Sequence, residues 1–260
     1  TAALEEFERD FRDNFIQESD FKKIRALGLN CVRLPFNSRL IEHRPGKYSS
    51  QGLAYIDRAI QWARKYRLWV ILDMHAACGA QNHDWHADSL GEANLWKDSL
   101  LQDRTVALWV FLADRYQHET TVAGYDLLNE PVIQDPRLLN RFYQRLITAV
   151  RRHDKNHILF VEGNRWGMDL DCLNNFDDAQ LAMSAHFYHP LEFTFNLVPQ
   201  LSYPLRSRQG TFDRRDIERM LEPYSRFGKK QQRPIFVGEF GVNARDGLYG
   251  ENRWLKDILA

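Results

Sequence analysis

Apolar positions along this chain alternate between two periods, and the alternation repeats. Short runs of consecutive β-branched or aliphatic residues are followed by longer stretches in which apolar residues recur every three or four positions. Cys31 to Phe36 reads as a strand, and Leu53, Ile56, Ile60 and Ala63 then fall on one helical face. Trp69 to Met74 is the next strand, followed by a helix near Asp98 to Tyr116 that carries Leu101, Leu108 and Leu112. Val122 to Leu128, His157 to Val161, Leu181 to Phe187 and Pro234 to Gly238 continue the strands. Further helices run from about Pro136 to Val150 and from near Asp213, whose side chain suits an N-cap. At the ends of the chain, Phe7 to Ile24 reads as one helix with Phe11, Phe15, Phe21 and Ile24 as its apolar positions, and another begins at Asn252 and runs to Leu259.

Strands made of consecutive apolar residues are buried on both faces, as in a parallel sheet covered by helices. The expected fold class is therefore α/β, a TIM (β/α)8-type barrel, in a single domain over residues 1–260. The strand count falls short of that fold, because six strands are legible, with none before Phe7 and none after Asn252. The barrel reads as incomplete, without its first and eighth strands and truncated at both ends. Neighbouring strands lost from a closed barrel leave one gap with open edges, which invites a homodimer that covers it.

Composition narrows the classes of function. The chain carries 35 basic and 35 acidic side chains, so it lacks the long-range field of a nucleic-acid or anionic-membrane binder, and neither is expected as a partner. With 44% hydrophobic and 27% charged residues it can bury a sizeable core. No apolar run approaches the roughly 20 residues that span a bilayer. Cys31, Cys78 and Cys172 are too few and odd in number for a disulfide framework, and no CxxC pair suggests structural zinc. The chain opens at Thr1 with no signal-peptide core, so the compartment stays open.

Candidate chemistry collects where a parallel array gathers its βα loops, at the C-terminal ends of the strands. Arg33 and Asn37 stand at the first such end, His75 and the loop Gly79 to His86 at the second, Asn129-Glu130-Pro131 at the third, His186, Tyr188 and His189 further on, and Glu239 at the last. Glu130 and Glu239 are lone carboxylates on apolar strands, and burying either costs several kcal/mol unless it is paired or protonated. Two of them facing one cleft suit glycoside hydrolysis, which needs one protonated and one ionised carboxyl. A structural ion pair with Arg33 fits the same residues. The loop His83-Asp-Trp85-His86-Ala-Asp88, with His75, forms a candidate zinc or manganese set. Its histidines do not stand at i, i+4 on a helix, and a sugar-binding role for Trp85 and His86 competes with it, as does plain packing of Trp85. Trp62, Trp96 and Trp109 fall in helical stretches and read as packing. Trp166 comes just after a strand, within reach of the cleft, and the run Leu191 to Tyr203 suits a binding wall. Glu162 and Asn164 end a strand, where substrate contact and a structural role are equally open.

These strand ends carry a resemblance. Gly-Leu-Asn-Cys-Val-Arg33-Leu-Pro-Phe, Leu-Asp-Met-His75, Leu-Leu-Asn129-Glu130-Pro, His186-Phe-Tyr188 and Val-Gly-Glu239-Phe-Gly resemble, in order and spacing from about residue 7 to residue 250, glycoside hydrolase family 5, the cellulase family. The loop Gly79-Ala-Gln81-Asn82 further resembles the exo-β-1,3-glucanase branch. The resemblance implies a retaining β-glycosidase acting on β-linked glucosides or glucans, with Glu130 as acid/base and Glu239 as nucleophile. It implies that Asn129 meets the sugar 2-hydroxyl, that Arg33 and Tyr188 hold Glu239, and that His75 and His186 line the reacting subsite. It implies no cofactor and favours export. The family's eighth-strand tryptophan is missing, since Trp254 follows Glu239 too closely. Two alternatives stay open: a catalytically impaired carbohydrate-binding relative, and a metal-dependent hydrolase using the His-rich loop.

Overall fold

The computed structural model describes residues 2–208 and 210–260. Six strands form one all-parallel sheet: β1 (Cys31–Asn37), β2 (Trp69–Ala76), β3 (Val122–Asp126), β4 (Ile158–Glu162), β5 (Leu181–Phe187) and β6 (Ile235–Phe240), paired in chain order. The helices of nine residues or more are α1 (Ala2–Asn14), α2 (Glu18–Ala26), α3 (Ser50–Lys65), α4 (Ser99–Tyr116), α5 (Pro136–Arg151), α6 (Arg214–Gln231) and α7 (Glu251–Leu259). Two short hairpins, Glu42–Arg44 with Lys47–Tyr48 and Leu205–Ser207 with Gly210–Phe212, lie outside the sheet. The sheet is a partial barrel. Among the described residues β1 pairs only with β2 and β6 only with β5, yet Arg33 on β1 reaches Glu239 on β6 at 2.6 Å, so the two free edges curl toward each other.

Local sequence explains where the helices begin. Ser49, Asp98, Asp135 and Asp213 each accept a hydrogen bond from a backbone N–H of the first turn, meeting a donor that the helix itself leaves unpaired. Leu53, Ile56, Ile60 and Ala63 of α3 are all buried, and with Leu108, Trp109 and Leu112 of α4 they pack against outward-facing Val70, Leu72 and Met74 of β2.

The inward faces change character along the strands. Alternation by two puts Ile71, Asp73 and His75 on one side of β2, Phe160 and Glu162 on one side of β4, and Ala182, Ser184 and His186 on one side of β5. Ile71, Phe160 and Ala182 form a small apolar cluster with Phe236, and beyond it the inward residues Arg33, Asp73, Asp126, Glu162, Ser184 and His186 are polar. The barrel therefore has an apolar floor and a charged upper layer. A bulge between Val237 and Glu239 sets Glu239 opposite His186. A Cβ at Gly238 would lie 2.8 Å from Ser184 Oγ, so only glycine lets β6 approach this closely.

Two expectations need correction. The stretch Phe7 to Ile24 is two helices broken at residues 15–17, where Gln17 N–H bonds Asp20 Oδ2 at 2.9 Å and starts α2. Phe21 enters the core, but Phe7, Phe11 and Phe15 are exposed and stack on one another, because among the described residues no element covers that stripe. Trp96 sits in a 3-10 turn rather than a helix, donating its indole N–H to Gln81 O at 2.8 Å.

Candidate functional site

The upper layer of the barrel is organised by one guanidinium. Arg33 Nε donates to Asp126 Oδ2 at 2.9 Å, and Nη1 to Glu239 Oε1 at 2.6 Å. Its Nη2 meets Asn129 Oδ1 at 2.7 Å, Glu162 Oε1 at 3.0 Å and Asp73 Oδ1 at 3.1 Å. Burial would lower its pKa, but four surrounding carboxylates raise it well above its ordinary value, so the charge is permanent. Asp126 has no exposed surface. Burial, then repulsion from Glu162, raises its pKa well above the carboxylate range despite Arg33.

His186 is the second hub. Its Nδ1 lies 2.8 Å from Glu130 Oε1 and 3.5 Å from Glu239 Oε2, and its Nε2 lies 3.1 Å from Glu162 Oε1. Burial opposes its protonation, but Glu162, Glu130 and Glu239 raise its pKa well above the ordinary imidazole value. A buried imidazole thus sits between three carboxyl groups. Burial would raise Glu162 too, yet His186, Arg33 and the Glu130 N–H together lower it.

Glu130 and Glu239 converge on this hub. One carboxylate oxygen of each and a nitrogen of His186 all lie within 4.8 Å of one another. Glu239 accepts from Arg33 on Oε1 and from Tyr188 OH on Oε2 at 2.9 Å. Glu130 accepts from His186 on Oε1 and pairs with His86 Nε2 at 3.0 Å on Oε2. Burial raises its pKa, but the two imidazoles outweigh burial and pull it down to about 2. Its backbone is held at φ +48°, in the left-handed region, by its N–H bond to Glu162 Oε2 at 2.6 Å.

Of the remaining sequence candidates, Asn129 lies beside the pair; its Oδ1 is taken by Arg33, while its Nδ2 has no hydrogen-bond partner. His75 Nδ1 bonds Asp73 Oδ2 at 2.8 Å, and its ring stands 5.8 Å from that of His86. Trp85 is 86% exposed, at the rim. One expected substrate contact, His186, and Glu162, for which contact and a structural role were equally open, do not reach the surface. His186 and Glu162 are fully buried, behind the carboxylates they support, so neither can touch a sugar directly. The His-rich loop is not gathered around one point: His75 pairs with Asp73, His83 meets the edge of Trp166, and His86 turns to Glu130. Among the described residues the set of three donors spaced to hold a cation is Glu130, His186 and Glu239 instead. Asp73 and Asp126 were missed by sequence reasoning. Their signal was present, since each is a lone charge inside an apolar strand, in step with His75 or with the Asn129-Glu130 end.

The chain matches the cellulase family (glycosyl hydrolase family 5) over residues 2–259. It belongs to that family. It is 34% identical over 245 residues to a β-xylosidase of Phanerodontia chrysosporium, an alignment covering 93% of this chain and 50% of that protein. It is 30% identical over 287 residues to endoglucanase C of Acetivibrio thermocellus, covering 98% of this chain and 82% of that one. The chain therefore spans half the length of the first relative. In fold it is similar to endoglucanase Cel5A of Thermotoga maritima, with a TM-score of 0.77 at 24% identity over 94% of this chain and 77% of that one.

Proposed function

We propose that the chain is a retaining β-glycosidase of β-linked glucosides or glucans, with Glu239 as nucleophile and Glu130 as acid/base. The observation that carries this reading is the separation of the two carboxyl groups, whose nearer oxygens lie within 4.8 Å. Retaining enzymes hold their carboxyl groups about 5–5.5 Å apart, whereas inverting enzymes leave about 6.5–9.5 Å for a water between them.

Their surroundings divide the roles. Both oxygens of Glu239 accept bonds, from the Arg33 cation and the Tyr188 hydroxyl, so its carboxylate is held in place. It attacks the anomeric carbon, and the glycosidic bond breaks as a covalent glycosyl-enzyme forms. Glu130, flanked by two imidazoles, gives a proton to the departing oxygen and then takes one from the water that releases the sugar. Asn129, with Oδ1 fixed by Arg33, leaves Nδ2 to donate to the sugar 2-hydroxyl. Family membership and the names of the relatives support β-linked substrates in general. Glucosides and glucans stand ahead of xylosides because endoglucanases and a glucan 1,3-β-glucosidase are among the relatives as well as a β-xylosidase. Assay of Glu239→Ala on an activated aryl β-glucoside tests the reading. Turnover disappears, and added azide restores it with a glycosyl azide of inverted configuration; a variant with the wild-type rate overturns the nucleophile assignment.

A further inference from the structure

Glu130 has an imidazole on each oxygen, and only the one from His186 is needed to link it to Glu239. The other, His86, comes from the loop after β2. Its Nε2 lies 3.0 Å from Glu130 Oε2 and also 3.0 Å from Asn82 Nδ2. The Asn82 amide is not free to turn, because its Oδ1 accepts from Asp84 N–H at 2.9 Å and its Nδ2 donates to the Glu130 carbonyl oxygen at 2.9 Å. The second Nδ2 hydrogen therefore faces His86 Nε2, which can accept it only through a lone pair. An Nε2 that accepts carries no hydrogen, so the proton shared with Glu130 then sits on the carboxyl oxygen. With Nε2 protonated instead, Glu130 is ionised and two N–H groups confront each other. The two arrangements contain the same number of protons and differ in which side of a 3.0 Å contact holds one.

We propose that His86 is a positioning residue that stores the proton Glu130 delivers, with the Asn82 amide favouring its return. On return the Nε2–H bond breaks, its electron pair stays on nitrogen, a new O–H bond forms on Glu130 Oε2, and Asn82 donates to the freed lone pair. The groups around this contact suit the exchange. His75 stands 5.8 Å from His86, ring to ring, and Trp85 6.0 Å. His75 carries a raised pKa, burial being outweighed by Asp73. His186 occupies the other oxygen of Glu130, with Glu162 and Glu239 beyond it. Without a store, a carboxyl so well stabilised as an anion would be short of its proton at neutral pH.

The inference rests on Glu130 being the acid/base. Its test is the pH profile of kcat/KM on an aryl β-glucoside with a poor leaving group. His86→Gln keeps a hydrogen-bond donor but cannot carry a proton, and its alkaline limb moves down by at least about one pH unit, a tenfold change in the proton requirement. An alkaline limb that stays in place or moves up overturns the proposal. Asn82→Asp, which offers an acceptor to a protonated Nε2, lowers the plateau across the profile; a wild-type plateau contradicts it even if the first variant fails to fold. Glu130→Gln separates the two levels. If that variant hydrolyses the same substrate at the wild-type rate, the acid/base reading itself fails. If it is inactive while His86→Gln shows no shift, only the proton store falls.

Discussion

Near the N-terminal ends of the strands, Tyr125, Asp154 and His157 form a closed polar set. Asp154 accepts from Tyr125 OH at 2.7 Å, from His157 Nδ1 at 2.5 Å and from the N–H groups of Asn156 and His157, while His157 Nε2 meets Glu119 O at 3.1 Å. At the C-terminal ends another histidine, His186, lies among carboxylates, but there the set is open. Five carboxyl groups, from Asp73, Asp126, Glu130, Glu162 and Glu239, share Arg33 and a few imidazoles. Asp126 Oδ1 and Asn129 Nδ2 are left without a hydrogen-bond partner. Both sets bury polar groups at a cost, and of the two only the upper one leaves valences unfilled. A saturated network serves the fold alone, whereas an unsaturated one is poised for something the protein does not itself supply.

Substitutions sharpen this contrast. After the loss of turnover expected of Glu239→Ala, the largest effect belongs to Glu130→Gln, which keeps the shape but removes the transferable proton. Loss of general acid/base assistance is worth about 10²–10⁴-fold, read in kcat/KM on a poor leaving group. Arg33→Met comes next and acts on both properties. It leaves Asp73, Glu162 and Glu239 without their shared cation, and breaking a buried ion network from one side costs about 3–5 kcal/mol, measured by urea unfolding. At the lower end, His157→Asn should cost about 1–3 kcal/mol by stranding Asp154, and leave kcat of the folded protein unchanged.

That last loss depends on pH in a defined direction. The folded pKa of His157 is raised, burial being outweighed by Asp154, so its contribution is complete below the unfolded value of about 6.5 and fades as pH rises through the folded one. Burial would raise Asp154, but His157, Tyr125 and backbone N–H groups lower it, so its contribution is present above about pH 4 and lost only as pH falls through the folded value. The stability difference between wild type and His157→Asn is therefore greatest between about pH 4 and 6.5 and shrinks in alkali. A difference that grows from pH 6 to pH 9 would place the charge elsewhere.

Much of this contrast was legible in the chain. Runs such as Trp69 to Met74 are apolar on both faces and announced a buried parallel sheet, and caps such as Asp213 marked helix starts. Glu130 and Glu239 stood out as lone carboxylates at strand ends. The supporting layer was harder to read. Asp73 and Asp126 lie one or two strand steps below the rim, where period-two alternation turns them inward, but nothing local says that one guanidinium reaches four strands. The burial of His186 and the turn of His86 toward Glu130 are products of curvature and loop path, which residue spacing does not encode. Likewise the stripe Phe7, Phe11 and Phe15 has helical period whether or not anything covers it, so pattern alone could not distinguish a core face from an exposed one.

The central claim is that Glu130 and Glu239 lie close enough for direct attack rather than for a water between them. It is tested most directly by following hydrolysis of an aryl β-glucoside by proton NMR and recording the anomer that appears first. The account predicts β-glucose, with the α-anomer growing in later by mutarotation. Initial release of α-glucose would contradict it.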